Sequence, residues 1–412
     1  MTAALPAFTG YGIELEYMIV DRKTLSVAPI ADELLHRLTG TFASEVRHGQ
    51  LGWSNELVLH LLELKNIEPQ PDISSLSVAF QREIRRIGEV LESMDARLMP
   101  TGMHPWMNPR TETRLWPHEQ AEIYLAYDHI FDCRRHGWAN LQSMHLNMPF
   151  ANDNEFARLH AAVRLLLPIL PAIAASSPIA EGSYSDFLDF RMANYCEHQL
   201  KIFSTIGRVI PETVSDGAEY EAKILAPMYR EIAALDTEGM LQHEWLNAHG
   251  EIPRFDRNAI EIRVIDTQEC SQADFAIAAA AINIVHALYS EAYAPLAEQQ
   301  SIATDALVRI MHACIRDAEQ AVIDDAEYLR LMGFSGTDCK AGVLWRNLIE
   351  SEMPVERRQG KSCREALQTI LREGPLARRI LNAIGSDFSR RRLEMVYREL
   401  CDCLEEDRMF LE

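Results

Sequence analysis

Four stretches of the chain alternate apolar and polar residues with a period of two, and in each the polar positions carry reactive side chains. Residues 11–20 read Tyr-Gly-Ile-Glu-Leu-Glu-Tyr-Met-Ile-Val. A strand turns successive side chains to opposite faces, so Ile13, Leu15, Tyr17 and Ile19 enter a core while Gly12, Glu14 and Glu16 share the other side. Residues 142–150 place Met144, Leu146 and Met148 on one face and Ser143, His145 and Asn147 on the other. Residues 257–266 point Ile260, Ile262 and Val264 inward and present Glu261 beside Arg263. Residues 55–66 form an apolar run with Glu56 at its start and Glu63 near its end. Continuous alternation puts those two acids on opposite faces, and a bulge between them would reconcile this. The four stretches together predict one sheet with a polar face.

Between these strands the pattern changes to helical spacing. Helices are predicted over 31–38, 119–135, 219–235 and 273–294, the last a core helix beneath the sheet. Residues 46–66 read as a hairpin. Pro69, Pro71 and Asp72 break it, and Ser74 or Ser75 caps a helix running to about Arg97. A short strand follows over 98–104. A buried helix over 152–175 is bent by Pro168 and Pro171. From Ser176 a long irregular section contains Arg191 and Arg208, and loops of this kind carry substrate contacts. Residues 246–266 return to the sheet, and from Ala303 the pattern is helical, with breaks near 333–342, Gly360 and 374–375. The class is therefore α+β: a mostly antiparallel sheet of about six strands with helices on its outer face. Residues 1–300 form the main domain and 301–412 a helical part packed on it.

A chain of 412 residues can bury a large core. Its formal charge of −21 disfavours nucleic acid or an anionic membrane as partner. A nucleotide can still bind locally through metal ions and a few arginines. Eight cysteines without a CxxC pair suit a reduced, cytoplasmic protein. Cys401 and Cys403 lack a companion pair for zinc and read as surface thiols. No basic segment followed by an apolar stretch opens the chain, and no run approaches the ~18 apolar residues of a membrane span.

Glu14 and Glu16 repel unless a cation or basic group lies between them. Carboxylate oxygens suit Mg²⁺ or Mn²⁺, and arginine grips phosphoryl oxygens. With Gly12-x-Glu14-x-Glu16, the Glu56 to Glu63 interval, the 101–105 turn (Thr-Gly-Met-His-Pro), Ser177-Pro178 with Gly182, and Ala259-Ile-Glu261-Ile-Arg263, the chain resembles the carboxylate–amine ligases, the second class of glutamate–cysteine ligases. That resemblance implies a curved glutamine synthetase-like sheet, with residues 1–300 as the catalytic domain. It implies an ATP-dependent ligase that activates a carboxylate, the γ-carboxylate of glutamate, as an acyl phosphate for attack by an amine, releasing ADP and phosphate. Glu14, Glu16, Glu56, Glu63, His145 and Glu261 would hold Mg²⁺ or Mn²⁺, with Glu63 and Arg263 catalytic and Arg263 on the phosphoryl group. Arg191, Arg208, Asn147 and Lys65 would contact substrate or ATP, and the protein would be a homodimer. Two positions depart from the family: His145-Leu146-Asn147 stands where His-x-His is common, and Lys65 where small or hydroxyl residues are usual. Other readings of the same residues are a two-metal phosphate-ester hydrolase and a binding relative that has lost turnover.

Overall fold

The computed structural model describes residues 4–352 and 361–411. Its sheet contains β1 (Gly12–Asp21), β2 (Glu45–His48), β3 (Leu51–Asn55), β4 (Leu61–Asn66), β5 (Ala96–Met99), β6 (Ser143–Pro149), β7 (Glu251–Arg254) and β8 (Ala259–Asp266). In space the strands run β2-β3-β4-β1-β6-β8-β7, with β5 also on β1, and every pairing is antiparallel. The eight strands exceed the six expected because two stretches fold back on themselves. A turn with Gly49 at φ 61° separates β2 from β3, and one with Asn258 at φ 53° separates β7 from β8. Glycine and asparagine tolerate that left-handed backbone best.

β1 is the hub. One edge pairs with β4, while the other is divided: Gly12–Leu15 face β6 and Met18–Asp21 face β5. At the junction no strand supplies partners, and side chains do so instead. The Met18 amide donates to Gln142 Oε1 at 2.6 Å, and Thr267 Oγ1 donates to the Glu16 carbonyl at 3.2 Å. Unpaired buried backbone groups would each cost about 1–3 kcal/mol.

The apolar face is covered by helices. α1 (Ile73–Glu92) packs on β3 and β5, α2 (Asp153–Leu166) packs on β8, and α3 (Ser271–Tyr289) packs on both helices. Ile13, Leu15, Met144, Leu146, Met148, Ile260 and Ile262 are fully buried beneath them, each contributing about 1.5–3 kcal/mol. One continuous core runs from Tyr11 to Phe410, so helices after residue 300, including α4 (Arg390–Glu406), share it.

Several local expectations are corrected. α1 is capped by Asp72, which accepts from the Ser74 amide at 3.0 Å, and it stops at Glu92 so that β5 can begin at Ala96. Pro168 and Pro171 do not merely bend a helix; each sits in the first turn of a new short segment, Leu167–Ile169 and Pro171–Ala174, where its missing N–H costs nothing. Cys401 and Cys403 are buried on α4 rather than exposed. α3 is long and apolar enough to span a membrane by length and composition, but 83% of its apolar window is buried inside the fold. A helix packed on all sides has the composition of a span. The break at Gly360 lies outside the described residues.

Candidate active site

Strand register gathers most of the site. Glu14 faces Lys65 and Glu16 faces Glu63 across β1 and β4. Gly12 faces Asn147 and Glu14 faces His145 across β1 and β6, and Asn147 faces Glu261 across β6 and β8. Residues opposite one another in an antiparallel ladder point to the same side. Gly12 is small for a reason: a Cβ there would stand 3.0 Å from the Asn147 Cβ.

Glu56 reaches the same place by another route. The apolar run 55–66 is not one strand; β3 ends at Asn55 and residues 56–60 connect it to β4, so no bulge is needed. Glu56 lines a cavity of about 670 Å³ together with Glu14, Glu16, Glu63, Lys65, His145, Glu261 and Arg263. A bulge does exist, in β8, where the register shifts between Ile262 and Ile265. It reverses the alternation, so that Asp266 rather than Ile265 comes opposite Ser143 on the polar side.

The floor of the cavity is densely bonded. His145 Nδ1 lies 3.1 Å from Glu14 Oε2 and 3.8 Å from Glu261 Oε1. Asn147 Nδ2 donates to Glu14 Oε1 at 3.2 Å. Glu16 Oε2 accepts from the Ser143 amide at 2.7 Å and its hydroxyl at 2.9 Å. Glu63 Oε1 accepts from Ser54 Oγ at 2.8 Å and from Lys65 Nζ at 2.6 Å. Arg263 Nε donates to Glu261 Oε1 at 2.6 Å, and Arg254 Nη1 to Glu261 Oε2 at 3.2 Å. Ser54, Ser143 and Arg254 were not anticipated from sequence. Ser143 was visible on the His145 face, whereas the other two needed strand boundaries that the pattern left open.

The charges are unbalanced in a telling way. Burial and the neighbouring acids Glu63 and Glu16 push the Glu56 carboxyl well up, and burial also raises Glu16. Burial would raise Glu261 too, but Arg263, His145 and Arg254 outweigh it and hold that carboxyl at about 2. Burial and Glu261 oppose ionisation of Glu14, yet the His145 hydrogen bond and charge bring it below its ordinary value. Lys65 is opposed by burial and held charged by Glu63, Glu14 and Glu56. The β8 side thus has its own counter-charges, while Glu16 and Glu56 lack enough positive charge around them. One ligand atom each from Glu14, Glu63 and His145 lie within 4.8 Å of one another.

Arg191 and Arg208 part company. Arg191 lines the cavity and is fully buried; its Nε donates to Asp266 Oδ1, and its Nη2 has no hydrogen-bond partner among the described residues. Asp266 is held in turn by the Ser176 amide and the Ser177 hydroxyl, both at 2.8 Å. Arg208 does not reach the site. It is ion-paired with Asp305 and borders a separate surface hollow with Arg309, His312 and Arg316. Its place in an irregular loop was no guide to its direction. Five aromatic side chains, Tyr124, Tyr127, Trp138, Tyr195 and Trp245, line the cavity above this floor, among polar groups such as His198, Gln199 and Asn247.

The family model of glutamate–cysteine ligase family 2 matches residues 11–399. An uncharacterized protein of Archaeoglobus fulgidus is 31% identical over 97% of this chain and 100% of its own length. Proteins provisionally named glutamate–cysteine ligase 2 from Rubrobacter xylanophilus and Rhodospirillum rubrum are 26% and 25% identical over 63% and 67% of this chain. Those matches span 62% and 64% of the two relatives' lengths. Among solved structures, the glutamate–cysteine ligase of Francisella tularensis in complex with AMP superposes with a TM-score of 0.56 at 14% identity, covering 96% of this chain and 91% of that one. The last likeness is one of fold.

Proposed function

From the premise that the chain belongs to glutamate–cysteine ligase family 2, we propose that it is an ATP-dependent ligase joining the γ-carboxylate of glutamate to an amine through an acyl phosphate. The observation that carries this is the convergence of five glutamates, His145 and Arg263 on one cavity large enough for a nucleotide and a small acid. The donor set fits Mg²⁺ or Mn²⁺: carboxylates dominate, Glu14, Glu63 and His145 are spaced for a shared ion, and Glu16 and Glu56 lack counter-charge. Bound ions would neutralise the phosphates of ATP during transfer.

The chain's own residues do the rest. The glutamate carboxylate attacks the γ-phosphorus of ATP, the bond to the β-phosphate oxygen breaks, and ADP leaves. Arg263, fixed by Glu261, presents its remaining guanidinium donors to the phosphoryl oxygens. Arg191, which lines the cavity, would meet a carboxylate of the acid substrate. The neutral amine then attacks the acyl carbon, phosphate leaves, and the amine proton passes to a cavity carboxylate.

The test is mass spectrometry of products after incubation with ATP, Mg²⁺, glutamate and a panel of amines. ADP and phosphate formed only with a suitable carboxylate, together with an amide, are expected. AMP with pyrophosphate, or ADP release indifferent to every carboxylate, refutes the reading. The latter result would favour a phosphate-ester hydrolase.

A further inference from the structure

A lysine stands inside the carboxylate cluster. Lys65 faces Glu14 across the β1–β4 ladder and follows Glu63 by two residues on the same strand, so it shares their face by register and not by a chance rotamer. Its Nζ donates to Glu63 Oε1 at 2.6 Å, and Ser54 donates to that same oxygen. One oxygen of Glu63 is thereby engaged twice within the protein. The side chain is only 30% exposed, so the ammonium is directed into the cluster instead of into water.

Charge counting gives the consequence. On the cavity floor five carboxylates, Glu14, Glu16, Glu56, Glu63 and Glu261, stand with the basic side chains Lys65, His145, Arg254 and Arg263, and Arg191 lines the same cavity paired with Asp266. Arg254 and Arg263 are both committed to Glu261. Lys65 is the permanent cation placed among Glu14, Glu56 and Glu63, with the His145 imidazole on the far side of Glu14. Removing the Lys65 ammonium would leave Glu14, Glu56 and Glu63 with one positive charge fewer at the place where an ion would sit.

We propose that the Lys65 ammonium is a built-in cation that takes the place of one divalent ion in the carboxylate cluster, so that the nucleotide-free site holds one ion fewer than its carboxylates could bind. The inference rests on the metal reading given under the proposed function. Lys65 shares Glu63 with the remaining ion, and on the β4 side the incoming phosphates meet an ammonium. An ammonium is compact and strongly hydrated, with three rotatable donors, and so can stand in for an ion among carboxylate oxygens.

The experiment is Mn²⁺ titration of the full chain without nucleotide, reading free Mn²⁺ by electron paramagnetic resonance. Wild type, Lys65→Met and Lys65→Arg are compared, with Lys65→Gln as a second neutral variant should the methionine protein not fold. The neutral variant is expected to bind one additional Mn²⁺ per chain, or to bind its ion at least about tenfold more tightly, as a change of a full charge beside the ion implies. Lys65→Arg should bind as wild type does. Equal stoichiometry and affinity in the neutral variant and wild type overturn this inference alone. Absence of Mn²⁺ binding in every protein overturns it together with the metal reading.

Discussion

Gly102→Ala should loosen the protein from the inside of its site wall. A Cβ at residue 102 would stand 2.5 Å from Asp266 Cγ and Oδ2 and 2.7 Å from Oδ1. Asp266 is fully buried and cannot retreat without giving up the Ser176 amide, the Ser177 hydroxyl and the Arg191 guanidinium. Overpacking costs about 1–3 kcal/mol, and breaking a buried ion pair about 3–5 kcal/mol. Partial relaxation of both gives about 3 kcal/mol. At roughly 2.1 cal/mol/K per residue, the 412 residues carry an unfolding entropy near 0.9 kcal/mol/K, so Tm should fall by about 3–4 °C. Gly88→Ala is the control. It lies within α1 with nothing within 4 Å of the added atom, and it should gain up to about 1 kcal/mol. Urea and thermal unfolding read both variants. A Gly102→Ala protein within about 0.5 kcal/mol of wild type would refute the clash and the account of how Arg191 is held.

Other outcomes follow from the same packing and charges. Glu261 has a folded value near 2 against an ordinary 4.5, so the stability it contributes is complete above about pH 4.5 and is lost as pH falls towards 2. Arg263→Met removes the largest cause of that depression and should shift acid unfolding, followed by circular dichroism, to higher pH; an unchanged midpoint would contradict it. Arg263→Lys keeps charge but loses the planar fork, so it should slow phosphoryl transfer far more than it weakens Mn²⁺ binding, and equal losses would argue against a contact with the phosphoryl group. Trp345→Ala removes a fully buried ring whose indole N–H donates to the Ile169 carbonyl at 2.7 Å. It should cost about 3–5 kcal/mol in urea unfolding, and a loss under about 1 kcal/mol would show the helix repacking freely. Native thiol labelling should modify Cys196 and Cys339 before the six buried cysteines; rapid loss of Cys401 or Cys403 would contradict their burial.

How much of this was legible beforehand depended on whether a residue's direction was set by a strand. Glu14, Glu16, His145 and Glu261 were readable because period-two alternation fixes direction wherever one face is buried. Glu56 was harder, since Leu57 and Val58 are buried although they belong to a connection, and the apolar run therefore concealed the end of β3. The β8 bulge had a faint signal in the consecutive apolar pair Val264 and Ile265. What it accomplishes, bringing Asp266 beneath Arg191, required the three-dimensional register. Arg191 and Arg208 looked alike because the pattern read both as part of one irregular section, although Arg191 lies on the helix Phe190–Tyr195, and nothing local distinguishes an arginine drawn inward by a buried aspartate from one paired on the surface with Asp305.

The cavity also divides its labour between parts of the chain with different tolerance for change. Most of its charged floor, Glu14, Glu16, Glu63, His145, Glu261 and Arg263, is built on β1, β4, β6 and β8, where a one-residue slip would turn a strand's side chains over. Its aromatic wall comes from outside the sheet: Tyr124 and Tyr127 from the helix Ala121–Phe131, Tyr195 from the helix Phe190–Tyr195, and Trp138 and Trp245 from the one-turn helices His136–Ala139 and Glu244–Leu246. The charged floor and the aromatic wall are therefore held by separate scaffolds. On the proposed reading, a library of substitutions at those five rings would change the choice of amine while the floor stays untouched.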